Sequence, residues 1–136
     1  MMVWCCIFPD NIMPSGTQKK GAFGEDIAVA HLRALGYVVH ARNVVVRGGE
    51  IDIVAEKDVR GQRTLIFVEV KTRSSDAGSA EAATRENKMR QLFHAARGYC
   101  VRENIVIERT PIQFEHVSVI LKKNTPAEVR VYVIEV

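Results

Sequence analysis

Two stretches of the chain carry apolar residues at the spacing of an α-helix. Between residues 18 and 35 the apolar positions lie broadly on one side, and Gly36 follows as a stop signal. The clearer helix is predicted over about 80–103, where Asn104 ends the pattern. Its apolar stripe consists of Met89, Leu92, Phe93, Ala96, Tyr99 and Cys100. Both segments therefore predict helices with one face turned to a core.

Five further segments are rich in β-branched and aromatic residues, which is typical of strands. They span residues 37–46, 50–56, 64–72, 113–121 and 129–136. A polar, glycine-containing segment separates the second strand from the third, and Arg60-Gly61 at its centre predicts a hairpin turn. The resulting order, α-β-β-β-α-β-β, indicates the α/β (α+β) class, with a mixed central sheet flanked by helices.

Length and composition fit one globular domain. The chain has 136 residues, 47% hydrophobic and 26% charged, and no apolar run reaches the length of a membrane span. Residues 1–17 are expected to form a flexible N-terminal extension and 74–79 a mobile loop, so that 18–136 makes a single domain. Three cysteines, two of them adjacent at Cys5 and Cys6, suit a reducing cytoplasm. The net charge of +3 is compatible with a polyanionic partner.

Acidic residues stand inside two of the predicted strands, where a charge is normally unwelcome. They are Asp52, in the run 49–54, and Glu69, in the run 67–71. A hairpin turn centred on Arg60-Gly61 places Asp52 directly opposite Glu69, with Cβ atoms about 5 Å apart. Facing carboxylates repel each other unless a cation lies between them or one is protonated. We therefore interpret Asp52 and Glu69 as ligands of a divalent metal.

The residues that follow Glu69 extend this hypothesis to a reaction. Mg²⁺, or Mn²⁺ in its place, prefers carboxylate oxygens, and the main-chain carbonyl of Val70 is a candidate third ligand. Lys71 projects from the same strand face as Glu69, about 6.6–6.8 Å along the strand. Such a group can activate water and neutralise the charge that grows on a phosphate. Asp52, Glu69 and Lys71 are therefore the candidate catalytic residues for phosphodiester cleavage.

These motifs resemble a known superfamily. Asp52, followed by Glu69-Val70-Lys71 on the next strand, is similar to the PD-(D/E)xK nuclease signature, whose core shares the predicted α-β-β-β-α-β order. More narrowly, segments 21–25, 49–55 and 67–73 resemble the YraN-like family of bacterial proteins, which is related to archaeal Holliday-junction resolvases. The resemblance implies a restriction-endonuclease-like core over 18–136, metal-dependent hydrolysis of DNA with branched DNA as a candidate substrate, and a homodimer.

The resemblance also implies roles for residues outside the catalytic trio. Glu25 on the first helix matches an acidic residue near the metal, and Glu50 matches the Glu of the family's G-E-I-D motif. Lys88 matches a basic position on the second helix that contacts a phosphate. One segment departs from the family pattern: R-F-D-V-V is Q-F-E-H-V in this chain. Gln113 replaces an Arg and inherits no role, and Glu115 replaces an Asp, which leaves its role open.

Alternative interpretations stay open at this point. Glu25 also suits the first turn of any helix, Lys88 a solvated helix face, and His116 an inert position in a strand. Two other functions compete with the nuclease. One is a non-catalytic or weakly active DNA-binding module on a nuclease fold. The other is an assembly protein that pairs through its apolar final strand, 129–136.

Overall fold

The structure, a computed structural model, describes residues 17–74 and 82–135, with side chains described over 21–74 and 88–135. Its helices and strands follow the order predicted from the sequence. They are α1 (Thr17–Ala34), β1 (Val38–Val46), β2 (Gly49–Val59), β3 (Gln62–Arg73), α2 (Ala82–Arg102), the 3-10 helix Ile107–Arg109, β4 (Ile112–Ile120) and β5 (Glu128–Ile134). The predicted extension and the predicted loop lie outside the described residues, apart from Thr17, which begins α1, and Ser74.

The five strands form one mixed sheet in the spatial order β1-β2-β3-β4-β5. Neighbouring strands are antiparallel except β3 and β4, which run parallel. A parallel pair needs a long crossover, and α2 supplies it. The edges of the sheet are therefore β1 and β5, the latter being the strand that the sequence analysis proposed for edge pairing.

The hairpin between β2 and β3 has the predicted turn. Arg60 and Gly61 both adopt positive φ, 52° and 80°, as a tight two-residue hairpin requires. The strands pair in the register that this turn imposes, with Ile53 opposite Val68 at the far end of the ladder. Asp52 and Glu69 are the next residues outward, so the turn brings them to the same end of the hairpin, but the ladder does not extend to the direct pair that the sequence predicted.

Each face of the sheet has its own hydrophobic core. The core beneath α1 contains Ile27, Leu32 and Val68, and the core beneath α2 contains Phe67, Leu92 and Tyr99. Val68 and Phe67 are neighbours in β3, so the strand alternates between the two cores. Glu69 and Lys71 continue the α2 side of this alternation, as expected from their spacing.

The alternation breaks at Asp52. Ile51 and Val54 both pack into the α2 core although they are three positions apart. On the neighbouring strand Asn43 has a φ of 50°, and the pairs Arg42–Ile53 and Val44–Ile51 flank the irregularity. The ladder between β2 and β3 stops at Ile53, so the two strands are no longer paired at Asp52.

Within the described ranges, no helix has the length and apolar character that crossing a membrane requires.

Candidate active site

A solvent-open cavity of about 510 Å³ lies where β2 and β3 separate, beside the first half of α2. Its described lining consists of Gly48, Gly49, Glu50, Asp52, Glu69, Val70, Lys88, Gln91 and Leu92. Three of these residues are acidic and one is a lysine. Asp52 and Glu69, which the sequence analysis placed face to face, thus line the same cavity.

Asp52 is held by the main chain of β3. The Val70 N–H donates a hydrogen bond of 2.7 Å to Asp52 Oδ2, which replaces the strand pairing that ends one residue earlier. Burial raises the pKa of Asp52 to about 6, and the negative charges of Glu25 and Glu69 add to this rise. The Val70 N–H and the Lys88 charge oppose it. Asp52 is therefore a carboxyl group in an environment with too little positive charge.

Glu69 has the opposite electrostatic environment. His116 Nδ1 lies 3.9 Å from Glu69 Oε2, and Lys88 Nζ lies 3.9 Å from Glu69 Oε1. His116, followed by Lys88 and Lys71, holds the pKa of Glu69 below its usual range, against the effect of burial. Both contacts are longer than an ordinary hydrogen bond; the Lys88 contact is an ion pair, and the His116 contact is one when the imidazole is protonated. Two carboxyl groups of one cavity thus have pKa values moved in opposite directions.

His116 is a contact that the sequence analysis missed. It was expected to be an inert strand residue, but β4 pairs with β3 so that His116 stands opposite Glu69. Its Nε2 lies 3.2 Å from the Ser118 hydroxyl, two residues along the same strand face. A turn fixes the register of a hairpin, whereas no turn joins parallel strands. No local signal therefore linked His116 to Glu69.

The two predicted lysines differ in position. Lys88 lines the cavity and pairs with Glu69, which agrees with its predicted place at the site. Lys71 is half-buried on β3, and among the described residues it does not line the cavity. Its charge nevertheless acts on Glu69 and helps to lower the pKa of that carboxyl group.

Of the accessory residues, Glu50 lines the cavity and is exposed, whereas Glu25 acts on Asp52 from α1 through its charge. A close helix–strand approach brings Glu25 near the site. A Cβ atom on the preceding residue, Gly24, would lie only 1.7 Å from Thr72 Oγ1 of β3. Only a glycine permits this approach. Val70 packs its side chain into the α1 core, which leaves its main chain to face the cavity.

The turn between β1 and β2 packs directly against α2 and forms one wall of the cavity. Gly48 and Gly49 have φ values of 111° and 144°, which only glycine adopts readily. A Cβ on Gly48 would lie 3.2 Å from the His94 carbonyl oxygen of α2. On the helix, a Cβ on Gly98 would lie 2.5 Å from the Arg47 carbonyl oxygen. These glycines let α2 lie directly on the turn that precedes Glu50 and Asp52.

Glu115, whose role the sequence left open, lies on the other face of the sheet. It is 1% exposed and accepts hydrogen bonds from the Tyr37 hydroxyl at both carboxylate oxygens, 2.9 Å in the case of Oε2. Burial raises the pKa of Glu115, while hydrogen bonds from Tyr37 and Gln113 oppose the rise. Gln113 and Glu115 thus belong to a buried polar contact on the α1 side of the sheet and do not line the cavity.

The donor set at the cavity fits a hard divalent cation that keeps much of its water. Mg²⁺ is usually bound by one or two carboxylates, with waters and substrate phosphates completing its shell. Asp52 and Glu69 supply two such carboxylates, and the uncompensated charge around Asp52 is what a cation offsets. Among the side chains described over 21–74 and 88–135, no three from His, Cys, Asp or Glu approach closely enough to hold a metal by themselves. The site therefore fits a two-carboxylate centre and not a closed structural one.

Comparison with known proteins supplies a family. The chain matches the family model described as uncharacterised protein family UPF0102 over residues 24–136. A relative from Mycolicibacterium smegmatis, named as a UPF0102 protein, is 53% identical over 80 residues, which are 57% of this chain and 62% of that protein. One from Dichelobacter nodosus is 40% identical over 94 residues, 68% of this chain and 71% of that protein. One from Chlorobium phaeobacteroides is 31% identical over 121 residues, 88% and 91% of the two chains.

The matched region begins at Gly24, whose contact with Thr72 positions α1, and it includes every residue of the cavity. It also contains the YraN-like segments 49–55 and 67–73 and the last two residues of segment 21–25. The chain belongs to the UPF0102 family.

Proposed function

We propose that this protein is a divalent-metal-dependent enzyme that hydrolyses phosphodiester bonds in DNA. The observation that carries the proposal is the convergence of Asp52 and Glu69, from neighbouring strands, on one open cavity. Both acids belong to motifs that resemble the PD-(D/E)xK nucleases. The related archaeal Holliday-junction resolvases make branched DNA the candidate substrate.

In this proposal the cavity residues divide the work by their surroundings. Asp52 and Glu69 hold the cation, with the Val70 carbonyl as a candidate third oxygen. A bound Mg²⁺ or Mn²⁺ supplies Lewis-acid chemistry and a nucleophilic water at neutral pH. Glu69 is kept ionised by His116, Lys88 and Lys71, while the Val70 N–H fixes the orientation of Asp52.

The lysines serve the phosphate. Lys88 lines the cavity, so its ammonium group can contact a phosphate oxygen directly. Lys71 acts from the strand beside Glu69 and stabilises the charge that builds up on the phosphate as water attacks. Glu50 and Glu25 add negative potential, which favours the cation and orients its waters.

Cleavage of labelled DNA tests this function. Purified protein is incubated with junction, flap and single-stranded DNA in Mg²⁺ or Mn²⁺, and we expect Asp52→Asn and Lys71→Met to lower the rate by about 100-fold or more. Matched controls are Asp58→Asn, on an exposed position of the same strand, and Lys123→Met in the exposed turn before β5. Cleavage that survives Asp52→Asn would identify a contaminant and refute the proposal.

A DNA-binding module without turnover is the second candidate. Asp52 already accepts the Val70 N–H, which occupies one of its oxygens and suits a site that holds no metal. This function predicts DNA binding that weakens steeply with salt, is unchanged by Asp52→Asn, and is accompanied by no metal-dependent cleavage. Turnover that depends on Asp52 excludes it.

A homodimer is part of the same proposal, since two copies would place two sites on a branched substrate. Edge strand β5 offers a surface for pairing, and its Val133 is 45% exposed. Light scattering at micromolar concentrations should give twice the 15.2 kDa chain mass. A monomer at every concentration would contradict this part.

A further inference from the structure

A second cavity adjoins the acidic one and has the opposite charge. It measures about 600 Å³ and lies between the end of β1 and the second half of α2. Its floor includes Val46 and Gly98, and its rim carries Arg47, Arg97 and Arg102. No carboxylate belongs to its described lining. We call it the basic groove.

The two cavities share a wall. Arg47 of the groove directly precedes Gly48 of the acidic cavity. On α2, Gln91 lines the cavity and His94, one turn later, lines the groove. The Gly48 main chain packs closely against the His94 carbonyl, and Gly48 lines the acidic cavity while His94 lines the groove. A ligand that leaves the acidic cavity over the glycine turn therefore enters the groove.

The arginines differ in how far they are already engaged. Arg102 contacts Glu103 at 3.2 Å and lies 5.5 Å above the ring of Tyr99. Arg47 and Arg97 are exposed, and the guanidinium group of neither makes a hydrogen bond or ion pair with another described residue. Their guanidinium groups are fork-shaped donors suited to phosphate oxygens. These two residues are the groove's available anion-binding groups.

The two cavities lie far enough apart along α2 to contact different phosphates of one DNA strand. Lys88 in the acidic cavity and Arg97 in the groove are nine residues apart on α2, which corresponds to about 13.5 Å along the helix. This length is well above the rise of about 3.4 Å per phosphate along the duplex axis. Nine residues are also about two and a half turns, so the two side chains leave opposite sides of α2 and reach different parts of the backbone. Val45 and Val101, 68% and 72% exposed, offer apolar surface beside the groove to sugars between those phosphates.

The groove also supplies positive charge that attracts DNA, which the acidic cavity by itself repels. Glu50, Asp52 and Glu69 repel a phosphate until a cation is bound. A polyanion is held near this cavity only if other cations attract it. Resting on the proposed function, we propose that Arg47 and Arg97 bind phosphates of the DNA backbone beyond the one in the acidic cavity, and thereby supply most of the metal-independent affinity.

The test is DNA binding without divalent metal. Fluorescence anisotropy of a labelled duplex in EDTA, over a series of salt concentrations, compares the wild-type protein with Arg47→Ala/Arg97→Ala. Loss of two phosphate contacts lowers the slope of log affinity against log salt by about 1.8 and weakens binding at 0.1 M salt by about ten- to sixty-fold. The double Lys variant, Arg47→Lys/Arg97→Lys, keeps the charges and should retain most of the slope.

A charge-matched control is Arg33→Ala/Arg109→Ala, which removes two exposed arginines outside the groove. An equal loss of affinity in this control, or an unchanged slope in the groove variant, overturns the proposal. So does tighter binding of the groove to poly-glutamate than to DNA, which would assign it to an acidic protein.

The outcome is separable from that of the proposed function. Asp52→Asn abolishes cleavage under the proposed function, whereas metal-free binding should become tighter, because a carboxylate that repels the phosphate is removed. If the protein binds DNA through Arg47 and Arg97 but never cuts it, the groove proposal holds and the proposed nuclease function is refuted. If the protein cuts DNA equally well with and without the groove arginines, the proposed nuclease function holds and the groove proposal is refuted.

Discussion

Asp52 and Glu115 are carboxylic acids on strands of the same sheet, and burial raises the pKa of both. Their surroundings nevertheless differ. Glu115 lies in the α1-side core, where the Tyr37 hydroxyl donates to both of its oxygens. Asp52 borders an open cavity, has one main-chain donor, and feels the charges of Glu25 and Glu69.

The difference teaches which part of a buried acid's environment points to function. A carboxyl group with neutral donors on its oxygens is complete without a ligand, and its role is structural. A carboxyl group with other carboxylates beside it and solvent in front of it is complete only with a cation. Burial and a raised pKa are common to both, so neither observation alone identifies a site.

The largest effect is expected when the charge of Asp52 is removed. The folded pKa of Asp52, about 6, exceeds the ordinary 3.8. The stability that its protonated form contributes is therefore fully present below pH 3.8, and it is lost as the pH rises through 6 and the buried carboxylate becomes charged. Asp52→Asn should therefore stabilise the metal-free protein by up to about 3 kcal/mol at pH 7, and by little at pH 3.5.

Urea unfolding between pH 3.5 and 8 measures this difference, with the exposed Asp58→Asn as the matched carboxylate-to-amide control. Saturating Mg²⁺ should narrow the gap, since it stabilises only the protein that binds it. A gap that is independent of pH, or that Mg²⁺ leaves unchanged, would show that Asp52 is no different from a satisfied acid.

Removal of the Tyr37 hydroxyl should affect stability alone. Tyr37→Phe leaves Glu115 buried without its main donor, which costs about 1–3 kcal/mol. Chemical denaturation gives the loss, and DNA cleavage corrected for the folded fraction should stay within about twofold of wild type because Glu115 does not border the cavity. A large fall in the turnover of the folded Tyr37→Phe protein would contradict the claim that Glu115 has no part in the cavity's chemistry.

Two glycines of α1 provide the smallest and most closely matched pair. Gly24→Ala pushes a methyl group into Thr72 and should cost about 1–3 kcal/mol, while shifting Glu25 away from Asp52. Gly21→Ala meets nothing within 4 Å and should stabilise the helix by about 0.5–1 kcal/mol. Thermal unfolding of both variants measures the two changes in stability. Changes of the same sign would contradict the claim that Gly24 permits the close approach of α1 to Thr72.

The sequence was sufficient for the parts of this comparison that depend on local chemistry. Arg60-Gly61 determines a two-residue turn, and the turn determines that Asp52 and Glu69 approach each other. Helix periodicity likewise predicted the amphipathic helix that places Lys88 beside the cavity. In both cases a few neighbouring residues set the geometry.

What the sequence could not predict depends on distant parts of the chain. His116 meets Glu69 because β3 and β4 pair in parallel, a register set by how α2 packs and not by a turn. Tyr37 and Glu115 are 78 residues apart, so their contact leaves no local pattern. The positive φ of Asn43, flanked by the pairs Arg42–Ile53 and Val44–Ile51, lies beside the end of the β2–β3 ladder and involves two strands together.

Crystals of the protein soaked with millimolar Mn²⁺ test the central claim most directly, because anomalous scattering locates the ion without prior assumptions. The account predicts one peak in the acidic cavity, within bonding distance, about 2.0–2.3 Å, of a carboxylate oxygen from both Asp52 and Glu69, and no peak there in Asp52→Asn. Crystals of the wild-type protein that show no manganese between these two residues, in a lattice that leaves the cavity open, would contradict it.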